Sequence, residues 1–204
     1  MKLIADSLSV RRGERLIFTE LSFGLAAGEA LVVRGRNGAG KSSLLAVLAG
    51  LLRPEAGGVS LDGDPEAQPA EAMNLVGHRD GLKAALTAEE NLAFAQAMLG
   101  RAGLEPNEAL EALDIGALAQ IPVAYLSAGQ RRRVGLARLL VSARPIWLLD
   151  EPTAALDVAS QETLGALMAT HLASGGLIVA TTHGPLPLAG ARELTLGDQT
   201  KVSP

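Results

Sequence analysis

The chain has 204 residues, which suits one domain with a substantial hydrophobic core. Its hydrophobic share of 48% argues against intrinsic disorder, and its net charge of −4 argues against a nucleic-acid partner, which usually requires a basic surface. The absence of cysteine excludes disulfide and thiolate–zinc frameworks, and no apolar run reaches the ~18 residues of a membrane-spanning helix. We therefore expect a soluble chain that meets a membrane only through partner proteins.

The first quarter of the chain predicts strands that lead into a glycine-rich loop and a helix. Apolar clusters at residues 3–10 and 21–25 predict two strands, separated by turn residues at 12–13. Residues 30–33 form a short apolar run, and residues 42–52 predict a buried helix that ends before Pro54.

The rest of the chain predicts a parallel sheet interrupted by helices. Thr87 and Glu90 form the pattern of a capping box that begins a helix running to about Leu99, and residues 108–113 predict another helix. The apolar runs at 146–149 and 177–181 lack alternation, which indicates strands covered on both faces, and residues 160–173 predict a helix between them. We predict an α/β domain with an inserted helical subdomain at about 78–126.

The glycine-rich loop fits the pattern G-x-x-x-x-G-K-[ST] at every fixed position. Its residues are Gly35, Arg36, Asn37, Gly38, Ala39, Gly40, Lys41 and Ser42. Glycines let backbone N–H groups approach phosphate oxygens, and the following helix N-terminus adds positive potential. We expect Lys41 to reach the β- and γ-phosphates and the Ser42 hydroxyl to bind Mg²⁺. By itself this phosphate loop predicts only a nucleoside triphosphate site.

Two carboxylates follow the apolar run at 146–149. Asp150 and Glu151 would lie at the carboxyl end of a buried strand, where α/β sheets bind ligands. Asp150 suits the Mg²⁺ shell, and Glu151 suits polarisation of an attacking water. Without the phosphate loop, the same residues would indicate an exposed acidic turn before Pro152.

The segment Leu126-Ser127-Ala128-Gly129-Gln130 closely resembles the signature of ABC-type ATPases, with Ala128 in place of a glycine. The resemblance implies a phosphate-loop core with a mostly parallel sheet, an N-terminal antiparallel β subdomain and the inserted helical subdomain. It also implies ATP and Mg²⁺ as cofactors, with Ser43 added to the ATP-binding residues. In this family two copies pair head to tail, so that the signature segment of one copy faces the γ-phosphate held by the other.

Two further elements match the family in order and place. Asp157, in Ala155-Leu156-Asp157, resembles the D-loop that links the paired sites. His183 lies two residues after the apolar run at 177–181 and resembles the switch histidine of the family. The resemblance implies a hydrogen bond to the γ-phosphate and a role in orienting water. His171 lies within a predicted helix, and we interpret it as structural.

Two positions depart from the family, and one arginine run is open to two interpretations. His78 stands where the family usually has a glutamine, and it either replaces that residue or is only a loop residue. Arg12 lies where the family stacks an aromatic side chain on adenine, and a guanidinium can also stack on a base. The run Arg131-Arg132-Arg133 predicts a solvated helix face or, less in keeping with the acidic chain, a nucleic-acid patch.

Together these features resemble the ATP-binding subunits of cytochrome c maturation haem exporters. The resemblance implies a peripheral subunit on the cytoplasmic face of the bacterial inner membrane, bound to transmembrane transporter subunits and to a second copy of itself. Three alternatives remain: an ABC ATPase for another cargo, a soluble non-transport ABC ATPase, and a regulator that has lost catalysis. No haem-binding constellation is visible in the sequence.

Overall fold

We describe a computed structural model of the chain, covering residues 1–62, 69–100, 103–197 and the backbone of 201–203. The strands form two sheets. The smaller sheet has the order β2-β1-β4, with β1 at Lys2–Arg12, β2 at Arg15–Ala26 and β4 at Ala56–Leu61. Both neighbours of β1 run antiparallel to it. β2 begins six residues earlier than the sequence predicts, because a tight turn pairs Arg12 with Arg15.

The larger sheet has six strands in the order β5-β6-β7-β3-β8-β9. Pairs from β5 to β8 are parallel, and only the edge strand β9 is antiparallel. The strands are β3 Ala30–Arg34, β5 Met73–Val76, β6 Ile146–Asp150, β7 Leu177–Thr181, β8 Arg192–Thr195 and β9 Lys201–Ser203.

This sheet separates two hydrophobic cores. Side chains alternate across β6: Ile146 and Leu148 pack into the core shared with the antiparallel sheet, whereas Trp147 and Leu149 pack into the core shared with the helical insert. All of β6 and β7 is buried. The sequence predicts this burial correctly, since a strand covered on both faces has no polar alternation.

Helix α1 spans Lys41–Leu48 and α5 spans Val158–Ala173. The prediction that the first helix extends to residue 52 is wrong. Gly50 has a φ of 71°, and the N–H groups of Leu51 and Leu52 both donate to the carbonyl of Ala46, which ends the helix. Helix α5 begins two residues earlier than predicted, because the Asp157 carboxylate accepts from the N–H of Ser160 and caps the helix.

The chain between β5 and β6 carries the helical insert. Helix α2, Ala88–Leu99, begins with the predicted capping box, in which Thr87 and Glu90 each bond the other's backbone N–H. Helix α3 spans Pro106–Glu111, two residues earlier than predicted, and α4 spans Ala128–Ala137. The start of α2 contacts the segment that precedes α4, since the N–H of Ala88 donates to the carbonyl of Ile121. The boundaries 78–126 remain a prediction.

Within the described ranges, none of the helices combines the length and apolar character needed to cross a bilayer.

Candidate functional site

The phosphate loop joins the carboxyl end of β3 to the start of α1. Gly35, Gly38 and Gly40 have φ values of 147°, 79° and 104°, which other residues adopt only with strain. Lys41 is buried and lies back over the loop, with Nζ donating to the carbonyls of Gly35 at 2.9 Å and Arg36 at 3.3 Å. The Lys41 side chain therefore lies against the loop and is held by two of the loop's own carbonyl groups.

The carboxylates lie at the carboxyl end of β6, beside the loop. Asp150 is 7% exposed, and its Oδ1 accepts a hydrogen bond of 2.5 Å from Thr181 Oγ1 on the neighbouring strand. Glu151 has a φ of 49°, and its N–H donates to the Thr181 carbonyl. Glu151 Oε1 is buried without a hydrogen-bond partner among the described residues, which is an uncommon state for a carboxylate oxygen.

His183 connects the lysine and the glutamate. Its Nε2 lies 2.9 Å from Lys41 Nζ and 3.5 Å from Glu151 Oε1, while its backbone N–H donates to Glu151 Oε2 at 3.3 Å. A lysine ammonium only donates hydrogen bonds, so Nε2 of His183 is the acceptor in this contact. Three side chains from three separate segments therefore converge within hydrogen-bond range.

These groups face a cavity of about 560 Å³. Most of the predicted site residues line it: Arg12, Asn37, Gly38, Gly40, Lys41, Ser42, Ser43, His78, Asp150, Glu151 and His183. Arg15 and Ile17 also line it and were missed, because their proximity depends on the hairpin that folds β2 over the loop. Gly35, Arg36 and Ala39 line a second hollow of about 550 Å³, which shares Asn37 and Gly38 with the first.

The signature segment lies away from this cavity. Ser127 is exposed and caps α4, since its Oγ accepts from the N–H of Gln130 while the Gln130 side chain accepts from the N–H of Ser127. Gly129 packs against the turn that follows β6, and a Cβ at this position would lie 2.8 Å from the carbonyl oxygen of Ala155. Ala128 and Leu126 flank these residues. Ser127 is thus exposed and is not among the residues that line the cavity at the phosphate loop.

Asp157 also lies outside the cavity. It is exposed and caps α5, and hydrogen bonds from Ser160 hold the pKa of its carboxyl below the ordinary value. Asp157 caps α5 within a single chain. A D-loop role would involve a second copy, and it remains a prediction.

The prediction of a solvated face for the arginine run is wrong for its middle member. Arg132 is 4% exposed, and its guanidinium donates to the backbone carbonyls of Gly77, Asp150, Glu151 and Pro152 and to the carboxylate of Asp80. Sequence patterns gave no signal for this role, because the partners lie about 20 and 55 positions away along the chain. Its neighbours Arg131 and Arg133 are half-buried.

The structural interpretation of His171 agrees with its surroundings. The imidazole stacks on Trp147 with ring centroids 3.8 Å apart, and its Nε2 lies 3.1 Å from the carbonyl oxygen of Pro145. Burial lowers the pKa of His171 below its ordinary value. Neither residue lines the cavity at the phosphate loop.

The chain was compared with protein-family models, and the model described as "ABC transporter" matches residues 18–154. The chain belongs to the ABC transporter family. The match covers the phosphate loop and the signature segment and extends past the carboxylates at the end of β6. It confirms the family that the motifs predict.

Curated members of the ABC transporter family extend the match to nearly the whole chain. The cytochrome c biogenesis ATP-binding export protein CcmA of Rhizobium meliloti is 53% identical over 96% of this chain and 98% of its own. The protein of the same name from Rhodopseudomonas palustris (strain BisB5) is also 53% identical, over 97% of this chain and 98% of its own.

Solved structures of the family confirm the predicted fold class. A dimeric post-hydrolysis state of the ATP-binding cassette MJ0796, bound to ADP and Pi, superposes with a TM-score of 0.85 at 23% identity and covers 98% of each chain. A bacterial Atm1-family ABC exporter with ATP bound gives a TM-score of 0.83 at 26% identity, covering 96% of this chain and 37% of the exporter.

Proposed function

We propose that the chain is the ATP-hydrolysing subunit of a haem exporter in bacterial cytochrome c biogenesis. The observation that carries the proposal is the convergence of Lys41, Asp150, Glu151 and His183 on one cavity in a chain about half identical to cytochrome c biogenesis ATP-binding export proteins. Haem is the cargo that the sequence resemblance implies. The export function of the relatives, named for cytochrome c biogenesis, supports this choice.

Triphosphate binding follows from the phosphate loop. Backbone N–H groups of residues 38–42 and the N-terminus of α1 favour anionic oxygens, and Lys41 adds a full positive charge. The Lys41 ammonium donates hydrogen bonds to a loop carbonyl and to His183. When a triphosphate binds, we expect the ammonium to donate to a phosphate oxygen instead. Arg12 and Arg15 line the same cavity, and a guanidinium can stack on a base, which supports the proposed role of Arg12 beside the adenine.

The residues present fit Mg²⁺, which prefers hard oxygen ligands. The Ser42 hydroxyl and the Asp150 carboxylate line the same cavity, and the bond from Thr181 fixes the orientation of the carboxylate. Bound there with nucleotide, the ion would neutralise charge on the β- and γ-phosphates.

Hydrolysis requires a positioned acceptor for a water proton. Glu151 Oε1 is buried, has no hydrogen-bond partner in the described part of the chain, and belongs to a residue that lines the cavity. Rotation of the side chain to expose Oε1 to the cavity would let a water held there donate to this oxygen, and the His183 N–H donates to the other carboxylate oxygen. His183 would then orient the γ-phosphate. His78 lines the same cavity, on the loop that follows β5.

A second copy completes the site. Ser127 faces outward at the start of α4, and this arrangement suits contact with a nucleotide held by a partner copy. Closure of the two copies would move the insert at 78–126 and, with it, the transmembrane subunits on the cytoplasmic face of the inner membrane. Phosphate release would remove the bridge and let the copies separate.

The test is the Glu151→Gln variant, assayed in the complex with its membrane subunits. The amide keeps the shape of the side chain but cannot accept the proton, so we expect ATP affinity to remain while turnover falls by roughly 10²–10⁴-fold. Glu162→Gln, on the outer part of α5, is the matched control and should retain wild-type turnover. Wild-type turnover by Glu151→Gln would refute the assignment. Stimulation of the wild-type ATPase by haem tests the cargo separately.

A further inference from the structure

One buried arginine joins three segments of the site. The Arg132 side chain is 5% exposed, and its five N–H groups make five hydrogen bonds. The acceptors are the carbonyls of Gly77 (2.9 Å), Asp150 (2.8 Å), Glu151 (2.9 Å) and Pro152 (3.4 Å) and Oδ1 of Asp80 (2.9 Å). A guanidinium is one of the few groups able to satisfy so many acceptors from one rigid plane.

Three of the acceptors flank the proposed catalytic glutamate. Glu151 has a positive φ, a conformation that costs roughly 1–3 kcal/mol and persists only when its surroundings hold it. Arg132 holds the carbonyls before, at and after this residue, and the Thr181 carbonyl holds its N–H. The backbone of Glu151 is therefore held by groups that do not line the cavity.

The other acceptors belong to the loop that carries His78. Asp80 is held from two sides, because its carboxylate pairs with Arg132 and its carbonyl accepts from Arg138 Nη1 at 3.0 Å. Gly135, one turn after Arg132, makes room for this contact, since a Cβ there would lie 3.0 Å from Asp80 Cβ. The loop is thus fixed to the body of α4.

Helix α4 begins at Ala128 in the signature segment, four residues before Arg132. We propose that Arg132 is a positioning residue that couples the placement of this helix to the aim of Glu151 and to the loop bearing His78. The inference rests on the proposed function, since it assumes that Glu151 acts on water. When a partner nucleotide engages Ser127, a shift of α4 moves the Arg132 guanidinium with it. The turn at 150–152 and the loop at 77–80 then move together.

The test compares Arg132→Met and Arg132→Lys with the control Arg133→Met in the complex with membrane subunits. Arg133 is adjacent, and its Nη1 makes one exposed bond of 3.4 Å to the Asp114 carbonyl. A displacement of about 1 Å in a catalytic group costs on the order of 10²-fold in rate, so we expect kcat of Arg132→Met to fall by about that factor. We expect its ATP dissociation constant to stay within about threefold of wild type, because the five hydrogen bonds of Arg132 go to backbone carbonyls and Asp80 and none goes to the phosphate loop.

Arg132→Lys keeps the charge and supplies at most three donors, so its kcat should lie between Arg132→Met and wild type. It also carries the test if Arg132→Met fails to fold. The inference is overturned if the folded Arg132 variants match Arg133→Met in kcat, or if kcat and ATP affinity fall by the same factor. Failure of the proposed function is distinguishable, because Glu151→Gln would then retain turnover whatever the Arg132 variants do.

Discussion

The fit between the phosphate loop and strand β2 predicts how two glycines of the same loop differ. Gly38 and Gly40 both have positive φ, so alanine at either position incurs a similar backbone strain of roughly 1–2 kcal/mol. A Cβ at Gly38 meets open space. A Cβ at Gly40 would clash with Cγ2 of Ile17 and lie 3.2 Å from the Phe18 ring. Only Gly40→Ala should therefore suffer overpacking as well as strain.

Overpacking of this kind costs about 1–3 kcal/mol. A chain of this length loses about 2–4 °C in Tm for each kcal/mol, so Gly40→Ala should melt about 2–12 °C below Gly38→Ala. Thermal unfolding without nucleotide measures this difference directly, and the strain common to both variants cancels.

The Ile17→Ala background provides the control, because it removes the clashing methyl group. In that background the gap between Gly40→Ala and Gly38→Ala should shrink by at least about half, as expected for residues in direct contact. Equal melting temperatures for the two glycine variants, or a gap unaffected by Ile17→Ala, would refute the packing of β2 on the loop.

Three further predictions concern stability. Leu148→Ala, in the core between the sheets, should cost about 2–5 kcal/mol in urea unfolding because it leaves a cavity. Thr87→Ala should cost about 1 kcal/mol, since it removes the cap of α2. Burial lowers the pKa of His171, so acidification through the ordinary pKa of about 6.5 protonates the unfolded chain first and destabilises the fold. His171→Phe should therefore flatten the decline in Tm between pH 7.5 and 5, monitored by the fluorescence of Trp147.

The first two of these predictions have a matched control variant. Leu51→Ala, 72% exposed, should change stability by less than about 0.5 kcal/mol, and Thr87→Ser should retain the cap. If Tm falls as much in His171→Phe as in the wild type on acidification, the pH dependence of stability arises from other groups. A Leu148→Ala cost equal to that of Leu51→Ala would contradict the described core.

The sequence predicts those parts of the fold and of the site that depend on residues close together in the chain. The phosphate loop, the Thr87 capping box and the carboxylates after β6 each depend on residues a few positions apart, so their spacing carries the information. The end of α1 was mispredicted because its hydrophobic pattern continues past Gly50, where the backbone turns.

The parts that the sequence could not give depend on long-range contacts. Arg132 sits in a run of three arginines, and only the packing of α4 against the end of β6 distinguishes it from its neighbours. Arg15 and Ile17 reach the cavity because the register of the first hairpin places them there. The register is set by hydrogen bonds between two strands, and a motif of neighbouring residues does not specify which residues pair.

The proposed function requires that a triphosphate lie between the phosphate loop of one copy and Ser127 of another. The chain has no cysteine, so an Asn37→Cys chain and a Ser127→Cys chain, both carrying Glu151→Gln, can be mixed and treated with a short bis-maleimide. We expect a crosslinked dimer that depends on ATP, and no such dimer when Leu51→Cys replaces Ser127→Cys. A yield that is the same with and without ATP would contradict the account.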